Sequence, residues 1–230
     1  MSNLNSAIIL AGGKGTRISD IFPNIPKTLI EINGKSILER QIEKLIAAGV
    51  ETIIISICHL ADKIDDFLKN HTFSNVNIYT IRERTPLGTG GAIKNILLNT
   101  NTEQAIIING DTLNNFNYIE MISAHNSKKN ENTIGVLKGN QNSSFGGLDI
   151  NKNQVIRFCE KSDENLPYIN VGIYILHVDV FNHTHRVSFS LEEEIFPFLK
   201  NGELSAFEYH GKFWDIGTKE RFEIALKEID

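Results

Sequence analysis

The chain has 230 residues, a formal net charge of −5 and 41% hydrophobic residues. That supplies one substantial core, and the mildly acidic balance argues against a protein that grips a nucleic-acid backbone. The two cysteines, Cys58 and Cys159, belong to no CxxC or Cys/His cluster and read as thiols of a reducing, cytoplasmic compartment.

In chain order, "SAIILAG" predicts a buried strand ending in glycine. Residues 36–48 carry Ile37, Leu38, Ile42, Leu45 and Ile46 at helical spacing. Ser36 with Glu39 forms a capping box at the start, and Gly49 suits the end. Then follow a strand over 52–58, a helix over 61–69, a strand over 76–82, a helix over 91–98 and a strand over 104–110 that runs into Asp111. Alternating strands and helices predict right-handed βαβ units around a mainly parallel sheet. The continuous Ile runs suit strands covered on both faces.

After residue 132 the pattern changes. Strands are predicted in "TIGVLKG", "GLDINKNQVIRFCE" and "YINVGIYIL", with Asn151-Lys152-Asn153 as a hairpin turn. These read as antiparallel additions to the sheet. Helices over 191–200 and 218–229 close the chain. The seven histidines do not cluster; His183 and His185 form one close pair on a polar loop. No apolar run reaches the ~18 residues of a membrane helix, and no signal peptide is expected at Met1-Ser2-Asn3.

The chemistry concentrates in the loop after the first strand, Gly12-Gly13-Lys14-Gly15-Thr16-Arg17. It sits where open α/β sheets bind ligands, at the carboxyl end of a parallel strand. Two phosphate-loop patterns fail here. The dinucleotide fingerprint needs a third glycine where Ile18 stands. A Walker ending exists in Gly34-Lys35-Ser36, but Leu29 takes the place of its first glycine. What remains is a bare backbone that can form an anion nest, with an arginine whose planar fork fits phosphate oxygens. Asp111 follows a buried strand and Asp215 follows Phe213-Trp214. A carboxylate at such a junction is costly unless paired or bound to a cation. Each alone reads equally as a cap or turn aspartate or as a ligand for a hard cation such as Mg²⁺.

"LAGGKGTR…PK" resembles the signature of the sugar-phosphate nucleotidyltransferases. The likeness continues through "PLGTGGA" (86–92), "NGD" (109–111), "FCEK" (158–161), "NVGIY" (170–174) and "FWDIGT" (213–218). It is similar in wording and spacing to the short guanylyltransferases for heptose 1-phosphate, with mannose 1-phosphate guanylyltransferases and small uridylyl- or thymidylyltransferases for a hexose 1-phosphate next. Two places depart from the common pattern: Ser19-Asp20-Ile21 replaces Pro-Leu-Thr, and Thr28 rather than proline follows Lys27.

The resemblance implies an α/β, Rossmann-like three-layer sandwich in one domain. Residues 1–131 would form its nucleotide-binding half and 132–230 its sugar-phosphate half. It implies transfer from a nucleoside triphosphate to a sugar 1-phosphate by in-line attack at the α-phosphorus, with Mg²⁺. GTP and D-glycero-α-D-manno-heptose 1-phosphate are the substrates of nearest likeness, and the product would feed capsule or lipopolysaccharide synthesis. Gly12, Gly13, Gly15 and Thr16 would wrap the nucleotide, with Arg17 on the leaving pyrophosphate. Lys27 would bridge the attacking phosphate and the α-phosphate. Leu10, Ala11, Glu83, Gly88 and Thr89 would meet the base, and Asn109 would also face the nucleotide. Asp111 and Asp215 would hold the metal. Gly146, Glu160, Lys161, Asn170 and Gly172 would bind the sugar phosphate. Neither a nucleic-acid polymer nor a membrane is an expected partner; a homo-oligomer is compatible. Two other readings stay open. A glycosyltransferase would carry Asp-x-Asp, but Asp111-Thr112-Leu113 lacks the second Asp. A non-catalytic sugar-nucleotide sensor would not need Arg17, Lys27, Asp111 and Asp215 together.

Overall fold

The computed structural model describes residues 4–127, 132–139, 145–160 and 166–229. In chain order the elements begin with β1 (Ser6–Ala11), a 3-10 turn (Lys27–Leu29), β2 (Glu31–Ile32), β3 (Lys35–Ser36), α1 (Ile37–Ala47) and β4 (Thr52–Ile57). Next come α2 (Ala61–Asn70), β5 (Asn77–Arg82), α3 (Gly88–Asn99), β6 (Gln104–Asn109), β7 (Thr112–Asn114) and α4 (Tyr118–Ser127). The remainder is β8 (Thr133–Lys138), β9 (Gly147–Asn151), β10 (Gln154–Cys159), β11 (Tyr168–His177), α5 (Leu191–Glu194), β12 (Ser205–Glu208), β13 (Phe213–Asp215) and α6 (Lys219–Glu228). No helix among the described residues is long and apolar enough to cross a membrane.

The chain divides into two compact units. The first comprises Asn5–Pro86, Ile108–Asn115 and Gly211–Asp230. Its strands run β5-β4-β1, all parallel, with Ser6 beside Thr52 and Thr52 beside Asn77. The Ile runs predicted as doubly covered are so: Ile8, Ile9, Ile53 and Ile55 are fully buried. Helix α1 buries Ile37, Leu38, Ile42 and Leu45. Each contributes roughly 1.5–3 kcal/mol. Ser36 Oγ accepts from Glu39 N at 3.1 Å, as the capping box predicts. Gly49, at φ +84°, ends the helix with its N–H on Ile46 O. A second apolar cluster joins Ile18, Ile30, Ile32, Ile37, Leu113, Ile216 and Ala225. It fixes the segment after the glycine loop against β7, β13 and α6.

The second unit comprises Met1–Leu4, Leu87–Ile107 and Phe116–His210. Its strand order is β11-β8-β12-β10-β9, with β11 also pairing β9. The β9–β10 hairpin turns at Lys152 and Asn153, both left-handed, as the Asn-rich turn predicts. In β11 the pairing slips between Asn170 and Tyr174, around Gly172 at φ +69°. The chain is thus α/β and Rossmann-like with a mixed sheet, parallel throughout β5-β4-β1.

Several elements differ from the sequence expectation. Helix α3 starts at Gly88, three residues early, because its glycines serve close packing rather than a loop. The predicted helix over 191–200 is α5 followed by a 3-10 turn, Phe196–Phe198; Pro197 has no N–H to continue a helix. β12 pairs β8 in parallel, within a half read as antiparallel. Its four residues carry too little pattern to announce a strand, and α4 was likewise not foreseen.

Candidate active site

In the first unit the glycine loop leaves β1 at Ala11. A Cβ on Gly12 would meet Glu83 Oε1 at 3.0 Å and Cys58 Cβ at 3.3 Å, so the Glu83 carboxylate lies directly against the loop. Gly15 takes φ +60°, and its carbonyl accepts from Ile18 N and Ser19 N. That turn leaves Lys14, Thr16 and Arg17 exposed. Ser56, buried in β4, donates to Glu83 Oε1 at 2.7 Å and fixes the carboxylate. Burial first, then the Glu83 charge, push the Cys58 thiol up, while Lys14 pulls it down.

The Asn109-Gly110-Asp111 turn is pinned from below. Gln41, on the buried face of α1, donates its amide to Asn109 O at 2.9 Å and Thr112 O at 2.8 Å. Gly110 N donates to Leu10 O at 3.0 Å, and a Cβ at Gly110 would lie 2.5 Å from that oxygen. Only glycine allows β1 and this turn to approach so closely.

β13 pairs β7 with Asp215 opposite Thr112, and Ile216 N donates to Asp111 O at 3.1 Å. The two aspartates therefore come from adjacent positions of one ladder. Lys27 Nζ lies 2.6 Å from Asp111 Oδ2 and 3.8 Å from Asp215 Oδ1. Arg221, in the first turn of α6, pairs with Asp215 Oδ2. The Lys27 and Asp215 side chains are 10% and 11% exposed, Asp111 39%. Asp215 Oδ1 is buried with no hydrogen-bond partner among the described residues. An acceptor left so at the edge of a cationic cluster fits a site for a further cation, and two carboxylates suit a hard divalent ion.

In the second unit Gly88, at φ +72°, opens α3. Gly90 N and Gly91 N donate to Phe189 O, and a Cβ at Gly90 would strike the Phe189 ring. Thr89 Oγ1 donates to Glu192 and accepts from Leu191 N at 2.9 Å. Of the sugar set, Asn170 N donates to Gly146 O at 2.9 Å, and Gly172 N donates to Asn170 Oδ1 at 2.9 Å. A Cβ at Gly146 would lie 2.6 Å from Glu160 Oε2. These four expected residues are brought together; Lys161 lies outside the described residues.

Gln41, Ser56, Arg221 and Glu192 were not foreseen. Two of them left a signal. Gln41 is the polar residue on an otherwise apolar helix stripe. Arg221 is a cation in the first turn of a helix, where the dipole disfavours it unless an anion is near.

A nucleotidyl transferase family model matches residues 6–230. The chain is 33% identical over 223 residues to mannose-1-phosphate guanylyltransferase catalytic subunit beta of Xenopus tropicalis, covering 94% of this chain. It spans 62% of that relative's length. The crystal structure of HddC from Yersinia pseudotuberculosis superposes with a TM-score of 0.85 at 33% identity, covering 98% of this chain and all of that one. HddC complexed with GMP-PN gives a TM-score of 0.84 at 32% identity, over 98% of this chain and 100% of the other. A UDP-glucose pyrophosphorylase complexed with UDP-glucose shares the fold at 19% identity, with a TM-score of 0.83 and 97% of each chain covered. With its glycine loop, its paired aspartates and a match from Ser6 to the end, the chain belongs to the nucleotidyl transferase family.

Proposed function

We propose that this chain is a sugar-1-phosphate guanylyltransferase, joining GTP and a sugar 1-phosphate to give a GDP-sugar and pyrophosphate. The observation that carries the reading is Lys27, fixed between Asp111 and Asp215 beside the glycine loop. A phosphate oxygen of the sugar 1-phosphate attacks the α-phosphorus in line. The new O–P bond forms as the bond to the β-phosphate oxygen breaks, and pyrophosphate takes the electron pair. Both reactants are anions, so the residues' work is neutralisation and positioning.

In this reading Gly12, Gly13, Gly15 and Thr16 offer main-chain N–H groups to the triphosphate. Arg17 holds the leaving β- and γ-phosphates. Lys27 spans the attacking and α-phosphates, its ammonium kept in place by the two carboxylates. Glu83, fixed by Ser56, accepts from the guanine N1–H and N2–H₂ edge, with Leu10, Ala11, Gly88, Thr89 and Asn109 around the nucleotide. Gly146, Glu160, Asn170 and Gly172 hold the sugar, with Lys161 on its phosphate. Asp111 and Asp215 would hold Mg²⁺, which when bound offsets phosphate charge. Residues 1–131 then serve the nucleotide and 132–230 the sugar phosphate, and the enzyme works in the cytoplasm.

D-glycero-α-D-manno-heptose 1-phosphate is the favoured acceptor, supported by motif wording, while the likeness to HddC complexed with GMP-PN supports the guanine nucleotide. Mannose 1-phosphate is the second reading, favoured by the identity to the Xenopus tropicalis relative. The test is pyrophosphate release with Mg²⁺, each NTP and dTTP, crossed with heptose, mannose and glucose 1-phosphates. Release with GTP and heptose 1-phosphate is the expected result. Release with another pair keeps the reaction and changes the substrate. No release from a folded protein that binds nucleotide overturns the transferase reading in favour of a sensor.

A further inference from the structure

Glu192 is a buried carboxylate, 8% exposed. Burying a charge costs several kcal/mol unless donors replace its water. Three hydroxyls do so. Tyr174 Oη donates to Oε1 at 3.1 Å, Ser190 Oγ to Oε2 at 3.1 Å, and Thr89 Oγ1 to Oε2. Each of those hydroxyl oxygens also accepts an N–H. Tyr174 accepts from Asn170 Nδ2 at 2.8 Å, Ser190 from Glu193 N at 3.2 Å, and Thr89 from Leu191 N at 2.9 Å.

These pairings leave little freedom. With its oxygen already accepting an N–H, each hydroxyl turns its hydrogen toward Glu192. Tyr174 must then take a hydrogen from Asn170, and Asn170 Oδ1 is occupied by Gly172 N. The amide of Asn170 is thereby locked with its nitrogen as donor. Its second N–H has no partner among the described residues. Burial and the Glu192 charge also hold the Tyr174 phenol well above its ordinary range, so it stays a donor.

We propose that Glu192 is a positioning residue for two substrate contacts at once. Through Tyr174 it fixes Asn170 as a hydrogen donor to an acceptor oxygen of the sugar 1-phosphate, and directly it fixes Thr89 in the first turn of α3, on the nucleotide side. This rests on the transferase reading above. Glu192 touches neither substrate; it sets the direction of hydrogens that do.

Glu192→Gln tests the direction with little change of volume. A glutamine has one acceptor oxygen and one donor nitrogen, so the three hydroxyls can no longer all donate to it. KM for GTP and for the sugar 1-phosphate the wild type uses should each rise about tenfold, the scale of one misdirected hydrogen bond, while kcat changes less. Tyr174→Phe cuts the branch to Asn170 alone and should raise only the sugar 1-phosphate KM. A purely structural role would lower the melting temperature and leave both KM values alone. Unchanged KM values in a folded Glu192→Gln enzyme overturn the proposal. Should that variant not fold, Tyr174→Phe decides: an unchanged sugar 1-phosphate KM, or an equal rise for both substrates, overturns it. A wild type that releases no pyrophosphate with any pair defeats the transferase reading and this proposal with it. An active wild type puts only the positioning at stake.

Discussion

Arg221 pairs with one oxygen of Asp215 and leaves the other, Oδ1, buried and without a hydrogen bond among the described residues. The arginine stands in the first turn of α6, where Thr218 Oγ1 caps the helix. A cation there works against the helix dipole, so the carboxylate is its compensation. The pair fixes how Asp215 presents its second oxygen. Substituting Arg221→Met should raise the Mg²⁺ concentration needed for half-maximal pyrophosphate release about 10–100-fold, the usual cost of losing a partner that orients a metal ligand. Mn²⁺ binding to the nucleotide-free protein, read by electron paramagnetic resonance, should weaken in parallel. Equal Mn²⁺ affinity in wild type and variant would defeat the idea.

Lys27 faces two carboxylates, and its side chain is nearly buried. Lys27→Ala should lower kcat about 10²–10³-fold, the loss typical of a donor aimed at transition-state charge. Circular dichroism should report an intact fold, because Asp215 keeps Arg221. Turnover at the wild-type rate would remove Lys27 from the mechanism.

Gln41 carries a stability prediction. Its amide nitrogen satisfies two carbonyls of the turn that bears Asp111. Gln41→Leu fits the apolar stripe of α1 but strands Thr112 O and leaves Asn109 O only the Thr112 hydroxyl, at 3.0 Å. The expected loss is about 1–3 kcal/mol, read as a lower urea midpoint with an unchanged slope. Turnover should fall too, since Asp111 rides on that turn. A variant as stable as wild type would mean water replaces the amide at no cost.

The contrast between Gln41 and the Ile strands explains what the sequence could disclose. Ile53, Ile54 and Ile55 lie in one unbroken apolar run, and burial on both faces follows from that alone. Ser36 and Glu39 sit three apart, which is local chemistry that needs no tertiary partner. The contacts of Gln41, Arg221 and Glu192 depend on side chains brought together by the folded chain. Glu192 lies within Leu191-Glu192-Glu193-Glu194, where nothing local separates the buried acid from its neighbours. The glycines of α3 mislead in the opposite sense. Composition marks Gly88 and Gly90 as loop, yet Gly90 lets the helix pack on Phe189, whose carbonyl accepts its N–H. The clustering of Gly146, Glu160, Asn170 and Gly172 was expected only through family likeness. Their spacing carries no such signal, since a register slip in β11 and strand pairing bring them together.

His125 sets an acid limit on stability. It is buried on α4, with Nδ1 at 2.8 Å from Thr133 Oγ1 and Nε2 against the Gln104 amide. An amide N–H donating to Nε2 suits a neutral ring, and a proton there would meet another donor. Burial lowers the imidazole from its ordinary 6.5 to about 4. The unfolded chain therefore binds more protons than the folded one between those values. Stability should rise with pH across that window and be fully present above about 6.5. It should fall toward pH 4 by up to about 3 kcal/mol from this group alone. Urea unfolding from pH 4.5 to 7.5, compared between wild type and His125→Gln, isolates the effect. The difference in unfolding free energy between the two proteins should shrink as the pH falls, because glutamine cannot protonate. A difference that stays constant across the window would show that His125 titrates alike in the folded and unfolded states.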